Sequence, residues 1–226
     1  MKANGVDRDE LRRLVAQRVR ELAHALVARE SDDSTLQRIG ADVARMVEEL
    51  RPRPLRHRQA AIAELLPLIT DPAGQSVSSV LLERPVSGPG NPTAAEVVFR
   101  RQGDEIVADV RFGPAFEGAP GRVHGGMVAA MFDDVLGGVL SLAKPPAYTA
   151  RLAVEYKAPV PVDVTVEFRS RLERRDGRKL HAVAEARHAE QLLARAEALF
   201  IVVDPEHFQL GRRSPTGSSA GPQSQR

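Results

Sequence analysis

A loop rich in glycine and proline, Glu117-Gly118-Ala119-Pro120-Gly121-Arg122-Val123, runs into His124-Gly125-Gly126 and then an apolar stretch ending at Met131-Phe132-Asp133. The pattern reads as a helix opened by His-Gly-Gly. The first backbone N–H groups of a helix have no partner within it, and the helix dipole places partial positive charge at the same end. Glycine lets a substrate oxygen approach that backbone closely. Such a place suits a developing oxyanion. The plainer alternative is a tight helix entry, with glycine allowing the bend and His124 capping the first turn.

Asp133 adds a second chemical group. An aspartate within an apolar, buried helix costs several kcal/mol unless it is paired or neutral, and such a carboxylate usually has a role or a partner. Asp134 follows it, but adjacent residues do not share a helix face. One of the pair is therefore expected to be active, and the other solvated or paired with an arginine. Eight residues from Gly125 to Asp133 span about 12 Å along a helix. A general base and an oxyanion donor must each lie about 3 Å from the reacting atoms. A single copy of this helix cannot meet both demands. Two antiparallel copies can, which predicts a two-fold dimer with composite sites.

The elements that must position these groups follow from hydropathy patterning. Thr93–Arg101 and Glu105–Phe112 alternate as strands around Gln102-Gly103-Asp104, a hairpin. His124–Leu142 is apolar around most of its circumference and is expected to be buried. Four strands follow, at Tyr148–Lys157, Val162–Arg174, Arg178–His188 and Leu192–Val203, with turns at Arg175-Asp176-Gly177 and Ala189-Glu190-Gln191. In the second of these, Val162, Val164, Val166 and Phe168 point inward. The expected fold is α+β: a curved antiparallel sheet wrapped around one long central helix, with the last four strands as a meander. Upstream, residues 7–30 place Leu11, Val15, Leu22 and Leu26 on one helical stripe, with Val19 filling in. A second helix carries Leu36, Ile39, Val43, Val47 and Leu50, stopped by Pro52 and Pro54. A short third helical stretch is expected over Gln59–Leu66, and strand-like runs begin at Ser76. The arm reads as a helical pair packed on the main domain or its dimer, in preference to a membrane or partner helix. The expected division is a helical extension over 1–72, the main domain over 73–210 and a disordered tail over 211–226.

Composition narrows the function classes. Hydrophobic residues make up 42% of the 226, an ordinary value for a globular chain. The formal net charge is only +2, and just four basic residues are lysine (Lys2, Lys144, Lys157, Lys179), so the pI near 9.3 reflects arginine content. Clustered positive charge and RNP-type aromatics are missing, so no nucleic-acid partner is expected. The absence of cysteine excludes disulfides, a cysteine nucleophile and Cys-based zinc sites, and fits a reducing compartment. No apolar run is long enough for an integral membrane segment, and the cytoplasm is the expected location.

Residues 117–204 resemble the PaaI-like hotdog-fold acyl-CoA thioesterases, in particular the branch called thioesterase superfamily members. The resemblance rests on Glu117-Gly118-Ala119-Pro120-Gly121, His124-Gly125-Gly126, Asp133 nine residues after the histidine, Tyr148-Thr149-Ala150-Arg151-Leu152, Tyr156-Lys157-Ala158-Pro159-Val160-Pro161 and Gly177-Arg178-Lys179. It implies hydrolysis of an acyl-CoA of medium or long chain, without metal or cofactor, by a homodimer or dimer of dimers. Carried over by position, Asp133 is general base or nucleophile, and Thr149 holds the attacking water. The amide of Gly125 polarises the thioester carbonyl, and His124 orders the loop. Gly126, Glu155, Lys157 and Arg178 are substrate-binding positions, the two cations meeting coenzyme A phosphates. Strand alternation sets Thr149 with Arg151, opposite Leu152 and Val154, so it reaches the site only if the strand start bends or that face meets a second subunit. A non-catalytic acyl-CoA-binding module is the alternative, and the presence of Asp133 and Thr149 together counts against it. A hydratase would need a histidine facing the substrate, and His181 and His188 have no clear link to the site.

Overall fold

The computed structural model describes residues 7–54, 82–143 and 147–203. The expected third helical stretch at 59–66, the strand-like run from Ser76, the 72/73 boundary and the tail all lie outside them.

Period-two alternation produces a six-stranded antiparallel sheet from β1 (Glu96–Gln102), β2 (Glu105–Arg111), β5 (Ala147–Tyr156), β6 (Thr165–Asp176), β7 (Lys179–His188) and β8 (Gln191–Val202). The hairpin turns need left-handed backbone. Gly103 (φ 59°) and Gly177 (φ 54°) supply it where the expected turns lie, and Ala189 (φ 49°) adopts it at the third. Between β2 and the central helix lie a 3-10 turn, Pro114–Phe116, and a two-strand loop of β3 (Glu117–Ala119) and β4 (Arg122–Val123). The central helix, α3, covers Gly125–Ala143.

The expected meander holds only for β6, β7 and β8. The sheet order is β1-β2-β6-β7-β8-β5, so β5 crosses to the far side of β8 and becomes an edge, while β2 pairs with β6. The alternation within each strand is a local property, and neighbour choice is not written in it.

One face of α3, carrying Val128, Met131, Phe132, Val135, Leu136 and Val139, is buried against the sheet. Phe132 meets Phe168 edge-on at 4.9 Å, and Phe168 meets Phe112 at 6.4 Å. Ser170, buried on the same sheet face, donates to the Val135 carbonyl at 3.0 Å, satisfying its hydroxyl. The opposite stripe of α3 is different. Gly126 and Asp133 are exposed, and Ala130 and Gly137 are half-buried. The expectation of a helix buried all round is therefore corrected for a single chain. The residues that complete its apolar circumference are mostly glycine and alanine and lie on the side away from the sheet.

Among the described residues of the arm, α1 (Arg8–Ala28) is the docked helix. Arg20 is buried and donates to the carbonyls of Pro89 (3.2 Å) and Asn91 (2.7 Å), while Arg12 lies 3.8 Å from Glu83. The second helix, α2 (Asp33–Leu50), buries no residue, so the expected packed pair is only half realised within one chain. It begins at Asp32, whose carboxylate accepts from the Ser34 hydroxyl and from the Thr35 amide and hydroxyl. These bonds hold its pKa down to about 2.

Truncating Phe168 to alanine removes the ring between Phe112 and Phe132. The chain should lose about 3–5 kcal/mol of stability, read by chemical denaturation.

Candidate active site

The helix α3 starts where the loop before it is tied down from several sides. Glu117 accepts a hydrogen bond from the Gly121 amide through its carboxylate, across a turn at which Gly121 takes φ 73°. Gly118 lies so close to His124 that a Cβ there would sit 2.8 Å from the His124 Cα. The backbone closes the arrangement, since the His124 amide donates to the Phe116 carbonyl at 2.8 Å and the Val123 amide to the Val160 carbonyl at 2.8 Å. The two glycines of the Glu-Gly-Ala-Pro-Gly motif thus each have a geometric reason.

At the helix start, the Gly126 amide donates to His124 Nδ1 at 3.1 Å, so His124 caps the first turn with its own ring. The Met127 and Val128 amides both reach the His124 carbonyl. The Gly125 amide has no acceptor among the described residues. It is the one early N–H left to point at a ligand, at the positive end of a 19-residue helix. The carbonyl of Gly125 is held separately by the Tyr156 hydroxyl at 2.7 Å. Tyr156 is a positioning contact that sequence reasoning quoted within a motif without assigning it. A tyrosine closing a strand opposite a helix start was the available signal.

Two turns along the helix, Thr149 Oγ1 donates to Asp133 Oδ1 at 3.0 Å. The strand bends to allow it. The β5–β8 register shifts between Thr149 and Arg151, so Thr149 faces Phe200 while Arg151 faces Leu199. Leu152 pairs with Ala198 and Val154 with Ala196, and Phe200, Ala198 and Ala196 are all buried. The extra residue, Ala150, therefore returns Thr149 to the inward row that simple alternation denied it. This bulge is the bend the sequence demanded without locating it.

Asp133 itself is exposed in the single chain, which corrects the expectation of a costly buried carboxylate. Asp134 turns to the other flank of α3, where it accepts a 2.6 Å hydrogen bond from the Ser87 hydroxyl and not the ion pair with arginine that was one expectation.

The remaining positions expected to bind substrate do not converge in one chain. Lys157 follows β5 at its Tyr156 end, makes an ion pair with Glu155, and donates its amide to the Leu193 carbonyl at 2.8 Å. Arg178 sits in the β6–β7 hairpin and donates to the Val202 carbonyl at 2.9 Å. Leu193 and Val202 lie at opposite ends of β8, about 30 Å apart along an extended strand. Lys157 thus belongs with the Gly125 end of α3, and Arg178 with the Thr149–Asp133 end. Among the described residues no three His, Asp or Glu side chains gather as a metal site, and no helix is long and apolar enough to cross a membrane.

The family model described as Thioesterase superfamily matches residues 120–194, which include His124, Gly125, Asp133 and Thr149. Acyl-coenzyme A thioesterase THEM4 of Bos taurus is 35% identical over 113 residues, 49% of this chain and 46% of that protein. Acyl-coenzyme A thioesterase THEM5 of Homo sapiens is 30% identical over 105 residues, 46% of this chain and 40% of that protein. The chain spans less than half the length of these relatives. A crystal structure of a thioesterase superfamily protein superposes with a TM-score of 0.71 at 25% identity, covering 88% of this chain and 97% of that one. With a helix laid across an antiparallel sheet, the chain has a hotdog fold, and its residues 120–194, which hold both His124-Gly125 and Asp133, are similar to the thioesterase superfamily.

Proposed function

We propose that this protein hydrolyses an acyl-CoA thioester to the free acid and CoA. The observation that carries the reading is the division of chemical groups along α3: an unengaged Gly125 amide at its start and a threonine-bonded Asp133 carboxylate two turns on. The names of the relatives support the substrate class. A medium or long acyl chain rests on the resemblance alone, and a cytoplasmic location on the cysteine-free composition.

The separation of the two groups makes pairing of two copies part of the reading. In a homodimer, or a dimer of such dimers, α3 helices lying antiparallel on their open Gly126–Ala130–Asp133–Gly137 stripes bring Gly125 of one copy to Asp133 of the other. The same pairing carries Lys157 of one copy toward Arg178 of the other, giving a composite cradle for the CoA phosphates. Thr149 occupies Asp133 Oδ1 and leaves Oδ2 for the reaction. As general base, Oδ2 takes a proton from water held near Thr149, and the hydroxide adds to the thioester carbon. As nucleophile, Oδ2 adds to that carbon itself, and water then cleaves the resulting anhydride. Either way the carbonyl oxygen gains negative charge beside the Gly125 amide, and the C–S bond breaks to release the thiolate, which takes up a proton.

Free-thiol release from short, long and aryl acyl-CoAs tests the activity directly. Asp133→Asn should lower turnover by about 10²–10⁴-fold while still binding acyl-CoA; unchanged turnover would sink the mechanism. Saturable binding by wild type with no thiol released would turn the assignment to a non-catalytic acyl-CoA-binding module. Thr149→Val should cost about tenfold and Thr149→Ser much less, since serine keeps the donor to Asp133.

The composite site has its own test. Gly125→Pro removes the amide at a first-turn position that helices tolerate, and a Cβ there meets the Tyr156 ring only at an ordinary 3.5 Å. Co-refolded with Asp133→Asn, two inactive chains should regain about a quarter of wild-type activity. Half the dimers are then mixed, and each mixed dimer has one intact site. No recovery from properly mixed dimers would place the whole site in one chain.

A further inference from the structure

The loop that presents Gly125 is held by a residue far away in sequence. His24, near the end of α1, accepts a hydrogen bond at Nδ1 from the Ala115 amide at 3.0 Å. Its ring stacks at 5.5 Å on Phe116, which itself meets the core ring of Phe112 at 5.7 Å. Gly113 lies beneath the imidazole, where an added Cβ would fall 2.7 Å from the ring. So His24 contacts three of the four residues 113–116. The next link is a hydrogen bond, in which the Phe116 carbonyl accepts from the His124 amide at 2.8 Å. Phe116 therefore touches His24 with its ring and is bonded to the helix start through its carbonyl.

We infer that His24 is a positioning residue for the site: it holds the 113–116 turn, and through Phe116 and His124 it sets where the Gly125 amide points. The inference rests on the reading of Gly125 as oxyanion donor. It gives α1 a function, which the generic packing of an apolar stripe would not. The stripe of α1 faces away, with Leu11, Val15, Val19 and Leu26 exposed; the docked face is the one bearing Ala16, Arg20 and His24.

The hydrogen bond needs a neutral ring with Nδ1 unprotonated. Burial pushes His24 below the ordinary imidazole range; Asp163 and Glu96 oppose that shift, and Arg20 and Arg111 add to it. The folded state thus binds the proton less readily than the unfolded chain. The docking contribution is fully present above about pH 6.5 and declines as pH falls through that value toward the lower folded-state pKa.

Three substitutions separate positioning from packing. Asparagine places an acceptor where Nδ1 stands but loses the stacking ring. Glutamine reaches the Nε2 position instead, and leucine fills space with no acceptor. In full-length protein, His24→Leu and His24→Gln should lower kcat about tenfold with KM little changed, whereas His24→Asn stays within two- to threefold of wild type despite a lower melting temperature. Amide protection across 115–126 should fall in the leucine variant and not in the asparagine one, and in wild type the protection factors, taken against the intrinsic exchange rate at each pH, should fall below about pH 6.5. Equal impairment of all three variants would reduce His24 to packing, and full activity in all three would remove the positioning role with the thioesterase reading intact. If wild type releases no thiol, that reading fails by itself. The exchange experiment still decides on His24, and unchanged protection in His24→Leu would overturn the inference.

Discussion

The burial of one face of α3 against the sheet is the constraint on which the site depends. Phe132, Met131, Leu136 and their neighbours commit the helix to a single rotation about its axis, with Phe168 and Phe112 packed edge-on behind them. Once that face is inward, the residues about 180° away are outward, and Asp133 is among them. The carboxylate is thus aimed by large apolar side chains that never touch it. The same rotation sends Asp134 to the far flank and its serine partner, so two adjacent acids come to have different surroundings.

A helix fixed in this way still needs something to hold its ends, and β5 does so twice. Its final residue, Tyr156, bonds the carbonyl of Gly125, and near its start Thr149 bonds Asp133. The irregularity in β5 makes both possible, since a regular strand would put Thr149 on the wrong side. The bulge at Ala150 reverses the side without disturbing the pairing of Leu152 and Val154 further along. Among the described residues β5 pairs on one side only, and the outer stripe of α3 beside it holds glycine and alanine next to Asp133.

The loop before α3 is fixed by a different kind of contact. Hydrogen bonds accepted by Glu117 and His124 and the close approach of Gly118 settle its own shape, while α1 presses on its base through His24. Aromatic rings run without a break from Phe132 in the core through Phe168, Phe112 and Phe116 to His24. Through α1 the arm is therefore continuous with the core, while α2 buries no residue.

The sequence by itself determined what short-range rules control. Hairpin turns follow from Gly103 and Gly177, strands from period-two alternation, and the helix from an apolar run opened by His-Gly-Gly. The distance between Gly125 and Asp133 follows from helical rise alone. The resemblance to the thioesterase superfamily was legible from the spacing of His124, Asp133, Thr149 and Tyr156. Tertiary structure decided the rest: the pairing of β5 with β8, the bulge, the exposure of Asp133, the use of Tyr156 and the reach of His24 to Ala115. Each of these joins segments between 16 and 91 residues apart or sets one strand's neighbour. Hydropathy patterning records which side of an element is apolar. It carries no information on which distant element will cover that side, because that choice is made by packing the whole core at once.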